Sequence, residues 1–303
     1  MNRHRFTQLD AKLVLVIVAW GANLSVIKVA LREFPGQSFN ALRLILAAAA
    51  LLAVIVRLAP PGARGIARAD WRRVGLLGVV GGTMYQLLFL AGVPRTSVAN
   101  AGLIFGLSPV VISLMSAAVG HERLPWTRWA GGALSVLGLY FVVGVGATMS
   151  VNSLTGDALV FAGMLCWAVY SVGSRPLLGR YSPTVLTAWT TAIGAAVYVV
   201  VALPTLAGTN WAGVSSWSWF LMAASSLVCL VWSYVIWYTG VQRLGATRTS
   251  AYSNVTPIAA MVIGWLWLGE PITPAQSVGA AAILGGVLLT RWSPVVLTPL
   301  RDA

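Results

Sequence analysis

The groups in this chain that could act as general acid, base, nucleophile or metal ligand are few, and none stands where it could work on a buried substrate. Asp10, Glu33, Asp70, Glu122, Asp157, Glu270 and Asp302 are all of its acids, and each lies in a tail, in a connection or at the end of an apolar run, as do His4 and His121. Cys166 and Cys229 sit singly within apolar runs and read as small buried side chains, not as half-cystines of an extracellular framework. No HExxH, no GxSxG and no DDxxD-like acidic pair occurs. Catalysis, a resident metal and a cofactor are therefore not expected.

What remains is a set of aromatic and uncharged polar side chains at helical spacing, the equipment for holding a small organic molecule by stacking and a few orienting hydrogen bonds. Trp20, Asn23 and Ile27 share one helix face, and Trp167, Tyr170, Ser171 and Ser174 share another. A second matched pair of stripes is Gly82, Tyr85, Gln86 and Phe89 with Leu230, Ser233, Tyr234 and Trp237, and Trp189 lies about two turns into a further run. Polar groups deep in a bilayer are costly unless they face protein or water. Trp20, Asn23, Tyr85, Gln86, Trp167, Tyr170, Ser171, Trp189, Tyr234 and Trp237 are accordingly the candidate substrate contacts. The competing account makes Trp20 and Trp167 interfacial belt residues and lets the third-helix polar groups bond across helices. Arg43 is a candidate anion contact or a tie to a neighbouring helix, whereas Lys28 is expected to snorkel to the surface.

The elements that must carry these residues are membrane helices. Hydrophobic residues make up 58% of the chain and charged ones 9%, against roughly a quarter charged in soluble domains. Apolar runs of spanning length occur near 12–31, 37–57, 72–93, 97–120, 127–146, 155–177, 183–204, 215–240, 247–268 and 273–292. The expected architecture is an all-α polytopic membrane protein of ten transmembrane helices. The first run follows Asp10 and Lys12 and lacks a small-residue cleavage site, so it reads as a permanent span. With both termini inside, sixteen Lys and Arg fall on the cytoplasmic side and only Arg32 and Arg95 outside, as the positive-inside bias requires. The net charge of +13 thus reports topology; the basic residues form no patch for nucleic acid. Trp71, Trp126, Trp129, Trp211, Trp217, Trp219 and Trp292, near run ends, read as belt anchors.

The chain also repeats itself. Gly92, Val93, Arg95, Pro109 and Glu122 recur as Gly240, Val241, Arg243, Pro257 and Glu270, always 148 positions on, and Trp71 with Trp219, Gly131 with Gly279 and Gly138 with Gly286 extend the same offset. Such an echo marks a duplication, here of residues 1–150 and 151–303. Five spans per half is odd, so the second half enters the membrane inverted, as in secondary transporters that bind substrate at mid-membrane and alternate access by rocking the halves. Pro109 and Pro257, each mid-run, should bend their helices and are candidate hinges; Ser108, Asn100, Ser250, Asn254 or Thr256 could satisfy the freed backbone groups. Gly102 and Gly106 read as a close helix contact within the chain, and a monomer is the expectation. Glu122 and Glu270 read as capping or gate-closing groups.

The frame of Pro, twelve residues, Glu, eight residues, Gly, six residues, Gly, present in both halves with a Trp in the first helix of each, resembles the drug/metabolite transporter superfamily in its ten-helix type with two EamA repeats, across nearly the whole chain. Within it the chain looks like the YddG-type exporters of aromatic amino acids. The resemblance implies a multi-pass protein of the bacterial inner membrane whose partners are the lipid bilayer and a small-molecule substrate. The four-helix multidrug relatives keep a central acid, which this chain lacks, so cation extrusion and a carboxylate proton relay are not expected. Export of amino acids or related metabolites with aromatic or large apolar groups, facilitated or not, is the leading expectation. A nucleotide-sugar or organophosphate carrier is the alternative, and a membrane-embedded enzyme a further one.

Overall fold

The computed structural model describes residues 7–120, 151–250 and 256–291, together with 122, 123, 126, 130, 131, 133, 134, 137, 138, 252, 253, 296 and 297. These are helical apart from short turns and a two-residue antiparallel pairing of Glu122–Arg123 with Val296–Leu297. Four of the described α-helices start where a polar side chain, Thr7, Ser97, Ser182 or Ser215, accepts from a first-turn N–H group. α1 (Gln8–Ala30) opens on a reciprocal cap in which Thr7 Oγ1 accepts from the Asp10 N–H and the Asp10 carboxylate accepts from the Thr7 N–H. α2 (Gly36–Leu58) follows Pro35. α3 (Trp71–Gly78) and α4 (Tyr85–Gly92) are joined without a break by a π-helical stretch, Val79–Met84. Ser97 caps α5 (Val98–Gly106), which is followed by α6 (Ser108–Ala118). In the second half come α7 (Val151–Leu178), α8 (Pro183–Gly208, capped by Ser182) and α9 (Ser216–Ala224, capped by Ser215). A second π stretch, Ser225–Trp232, leads into α10 (Ser233–Leu244), and α11 (Ala246–Ser250), α12 (Thr256–Leu268) and α13 (Pro274–Arg291) follow.

Among the described residues seven continuous runs are long and apolar enough to cross a membrane: Gln8–Ala30, Gly36–Leu58, Pro61–Arg95, Val98–Ala118, Ser153–Leu178, Pro183–Gly208 and Ser216–Leu244, with Thr256–Leu268 apolar but shorter. The protein is therefore a multi-pass membrane protein. The expected fifth run, 127–146, falls largely outside the described residues, as do His4, His121, Trp129, Asn254 and Trp292. Two expectations need refinement. The bend expected at Pro109 is a break in helical hydrogen bonding, a turn at Leu107 between α5 and α6, and Pro109 takes the second position of α6; Pro257 takes the second position of α12, and residues 254 and 255 before that helix lie outside the described residues. At that position a proline's missing N–H costs nothing, since first-turn donors have no intrahelical acceptor. The π stretches carry no proline and were not foreseen.

Packing follows the small residues. α2 lies along α8, α4 along α7, and α1 and α5 both along α12. A Cβ on Gly102 would stand 2.4 Å from Ala260 Cβ and one on Gly106 2.6 Å from Pro257 Cγ, so this GxxxG does serve a contact inside the chain. The buried apolar side chains form two clusters. One gathers Leu13, Ile17, Leu51, Val74 and Tyr198 with the Trp167 neighbourhood, the other Leu24, Ile27, Phe39, Phe89 and Val160. Tyr85 packs against both, and the candidate site lies at this junction.

Candidate functional site

A cavity opens between the two clusters, lined by Trp20, Asn23 and Leu24 of α1, Arg43 of α2, Tyr85, Gln86 and Phe89 of α4, Phe105 and Ser108 where α5 meets α6, Trp167 of α7, Cys229 and Leu230 of the second π stretch, Tyr234 of α10, and Ser253 and Thr256 before α12. The space open to the centres of water-sized molecules is about 50 Å³, room for a few waters at roughly 10–15 Å³ each.

Its aromatic walls touch one another. Trp20 meets Trp167 edge-on with centroids 5.3 Å apart, and Tyr234 lies 5.3 Å from Trp167 and 6.2 Å from Trp20. Tyr85 is 5.7 Å from Trp167 and 5.5 Å from Phe89. These separations are those of favourable offset or T-shaped pairs, each contributing about 0.5–1.5 kcal/mol beyond its buried area. The Trp20 ring is fixed by its Nε1–H, which donates to the Cys229 carbonyl at 3.0 Å. A π turn alters the regular backbone pairing of a helix and recurs at functional sites; here a tryptophan of another helix is tied to the main chain inside it. The neighbouring Ser225 and Ser226 hydroxyls donate to Asn23 Oδ1 at 2.5 Å and to the Arg43 carbonyl at 2.7 Å. The second π stretch thus fastens both α1 and α2 to the cavity wall.

Arg43 carries the only charged side chain among the lining residues. It is 1% exposed, its Nη1 donates to Asn40 Oδ1 at 3.0 Å, and its guanidinium lies over the Phe39 ring, 5.4 Å from the centroid. Its Nε has no hydrogen-bond partner, and neither has Gln86 Oε1. Among the described residues no carboxylate pairs with it.

The candidate contacts separate into three groups. Trp20, Asn23, Arg43, Tyr85, Gln86, Trp167 and Tyr234 come together around the cavity. Trp237, Tyr170 and Ser171 stand behind them: Trp237 is fully buried against Trp20 and Trp167 at 5.2 and 5.8 Å, Tyr170 shares a 2.6 Å hydrogen bond with Thr190, and Ser171 is buried beside it. Trp189 stands apart, its ring 5.1 Å from Trp71 and its Nε1 donating to the Arg64 carbonyl at 2.8 Å, so it braces the loop after α2 and does not line the cavity. Pro109 and Pro257 each follow a lining residue, Ser108 and Thr256. Sequence reasoning passed over Leu24, Phe105 and Ser253, and read Cys229 only as a small buried side chain. Only the proximity of Ser253 to the proline frame could have drawn notice to one of them.

The ends of the molecule are polar. Lys28 keeps 19% of its side chain exposed and pairs its Nζ with Glu270 Oε1 at 2.8 Å, and Glu270 Oε2 accepts the Val98 N–H at 2.8 Å. One carboxylate therefore joins the last turn of α1 to the first turn of α5, whose Val98 N–H it caps. Asp157 is buried nearby and accepts from Thr96 and from Asn100 Nδ2, the latter at 3.2 Å, and Asn100 in turn accepts from Gln276 at 2.9 Å. Beyond the spans, Glu33 accepts from the Ser215 N–H and hydroxyl at 2.9 and 2.7 Å, which hold its carboxyl below the usual range. The Tyr181 hydroxyl is pushed up, mainly by burial and further by its bond to Asp70.

Comparison with known proteins places this geometry. The model of the EamA-like transporter family matches residues 10–144 and again 154–292. An uncharacterized transporter, YyaM of Bacillus subtilis, is 28% identical over 88% of each chain. A probable terminal-alkyne amino-acid exporter of Streptantibioticus cattleyicolor is 27% identical over 91% of each. A solved crystal structure superposes with a TM-score of 0.69 at 21% identity, covering 94% of this chain and 97% of that one, and shares the fold.

Proposed function

Because the chain belongs to the EamA-like transporter family, we propose that it exports amino acids or related small metabolites with aromatic or large apolar groups, through the central cavity, by alternating access. The observation that carries this reading is the aromatic box of Trp20, Tyr85, Trp167 and Tyr234, built from helices of both matched halves and bordered by Asn23 and Gln86. Rings offer stacking area to an apolar side group while amides orient its polar end. The exporter of S. cattleyicolor supports the amino-acid class, and the likeness to YddG-type exporters belongs to the same reading.

In this reading the halves 1–150 and 151–303 are inverted five-helix repeats with both termini in the cytoplasm, sitting in a bacterial inner membrane as a monomer. Pro109 and Pro257 mark the hinges about which the helices that carry them swing. The cavity as it stands, about 50 Å³, is too small for an aromatic amino acid, so binding requires the lining to part, and that separation couples ligand to conformation. Transport is facilitative, since no lining residue is an acid able to carry a proton. The nucleotide-sugar alternative would need several cavity cations; Lys28 is engaged by Glu270, which leaves Arg43 alone.

The test is counterflow of labelled phenylalanine, tryptophan and threonine in proteoliposomes, with and without an imposed pH gradient. Saturable exchange that ignores the gradient and is lost in Trp167→Ala supports the reading. Exchange of a nucleotide sugar alone, or full exchange in Trp167→Ala, rejects it.

A further inference from the structure

Among the described residues no counter-charge answers Arg43. An arginine side chain stays protonated under all physiological conditions, and an ion held away from water is costly unless another charge answers it. The polar neighbours of this guanidinium are Asn40, Tyr85, Tyr198, Cys229 and Tyr234, all neutral at pH 7. Asn40 occupies one Nη, the Phe39 face covers the flat side, and the Nε edge is unclaimed. Nε together with an Nη is the fork that receives a carboxylate through two parallel bonds. The cavity therefore carries a charge of one positive unit when empty.

That balance bears on which ligand fits. A free amino acid brings a carboxylate and an ammonium; the first would neutralise Arg43, but the second would be stranded. Among the described residues the lining holds no Asp or Glu; Asn23 Oδ1 already accepts from Ser225, and Gln86 Oε1 is the lining amide oxygen with no partner. One amide oxygen is a poor exchange for the water shell of an ammonium. A carboxylate whose α-substituent is a hydroxyl or an acylated nitrogen leaves no charge unmatched, and its neutral donor suits Gln86 Oε1.

We propose that Arg43 binds the ligand carboxylate and that the cavity prefers aromatic monocarboxylates without a charged amine, such as 2-hydroxy acids and N-acylated amino acids, over the free amino acids themselves. This rests on the central cavity being the transport site.

The experiment is calorimetric binding to the purified full-length protein at pH 7, using phenyllactate, N-acetylphenylalanine, phenylalanine and phenylalaninamide. Phenyllactate and N-acetylphenylalanine are expected to bind at least tenfold tighter than phenylalanine, and the amide not at all. Arg43→Gln should weaken phenyllactate about a hundredfold, with Arg43→Lys recovering part of that loss. The lysine variant guards against a fold defect in the glutamine one, and thermal unfolding of both checks it. Phenylalanine binding as tightly as phenyllactate, or an unchanged Kd in Arg43→Gln, overturns the proposal. Trp20→Ala and Gln86→Ala separate the two levels: if phenylalanine wins but loses affinity in these variants, the cavity stands and charge selection falls. If every probe binds these variants as it binds the parent, the site lies elsewhere and both readings fall.

Discussion

Lys28 and Arg43 look alike in the chain, each a cation set among apolar residues of a helix, yet they meet opposite surroundings. Lys28 ends α1 beside the loop after α12, partly open to solvent, with the Glu270 carboxylate 2.8 Å away. Arg43 stands one turn further into its helix, closed off by aromatic rings, with amides, phenols and a thiol about it and no carboxylate among the described residues. A partner at the rim can be released to water at little cost; a partner in the interior cannot. The first cation closes a contact and the second keeps an anion's place open.

Giving Arg43 an internal partner should erase the difference, and this is the largest effect expected. Cys229→Asp puts a carboxylate beside the guanidinium, and the resulting buried pair should lower transport about a hundredfold because the ligand must now displace it; counterflow and thermal unfolding together separate a filled site from a broken fold. Trp20→Phe leaves Arg43 charged but removes the ring N–H that ties α1 to the Cys229 carbonyl. Losing one such bond costs about 1 kcal/mol, which should appear as a roughly fivefold loss of ligand affinity. Glu270→Gln orphans Lys28 where water can reach it, so stability should fall by about 0.5–1 kcal/mol with ligand affinity unchanged, and Lys28→Met combined with Glu270→Gln should regain most of that loss. A drop in affinity for Glu270→Gln would show that the two cations are not independent. The smallest effect belongs to Glu33. Its carboxyl is depressed below 4.5 first by the Ser215 hydroxyl and then by the Ser215 N–H. The contact therefore stabilises the fold above that pH and is lost as pH falls through the lower folded value. Unfolding scans between pH 6 and 3 should show this acid-side loss in the parent and not in Ser215→Ala.

The helices were legible because a bilayer enforces length and apolarity, and the box was legible because Trp20, Trp167, Tyr85 and Tyr234 are too polar to face lipid and too deep to be belt residues. Trp189 was misplaced for an instructive reason: depth along a helix says nothing of the direction in which a ring points, and its N–H had a carbonyl waiting at Arg64. Lys28 and Arg43 could not be told apart because their partners, Glu270 and the ring of neutral groups, lie on other helices. The π stretches left no mark either, since Ser225–Trp232 has the composition of any apolar helix.

Those stretches also bear on register. A π turn is how a helix absorbs surplus residues without unwinding, and Val79–Met84 has its counterpart, 148 positions on, inside Ser225–Trp232. Trp71 and Trp219 before the stretches and Gly92 and Gly240 after them keep that same spacing of 148. Surplus residues acquired by one matched segment alone would have thrown the trailing residues out of step with the leading ones. The irregular turn therefore sits at the same register in both matched segments and is not an insertion private to either.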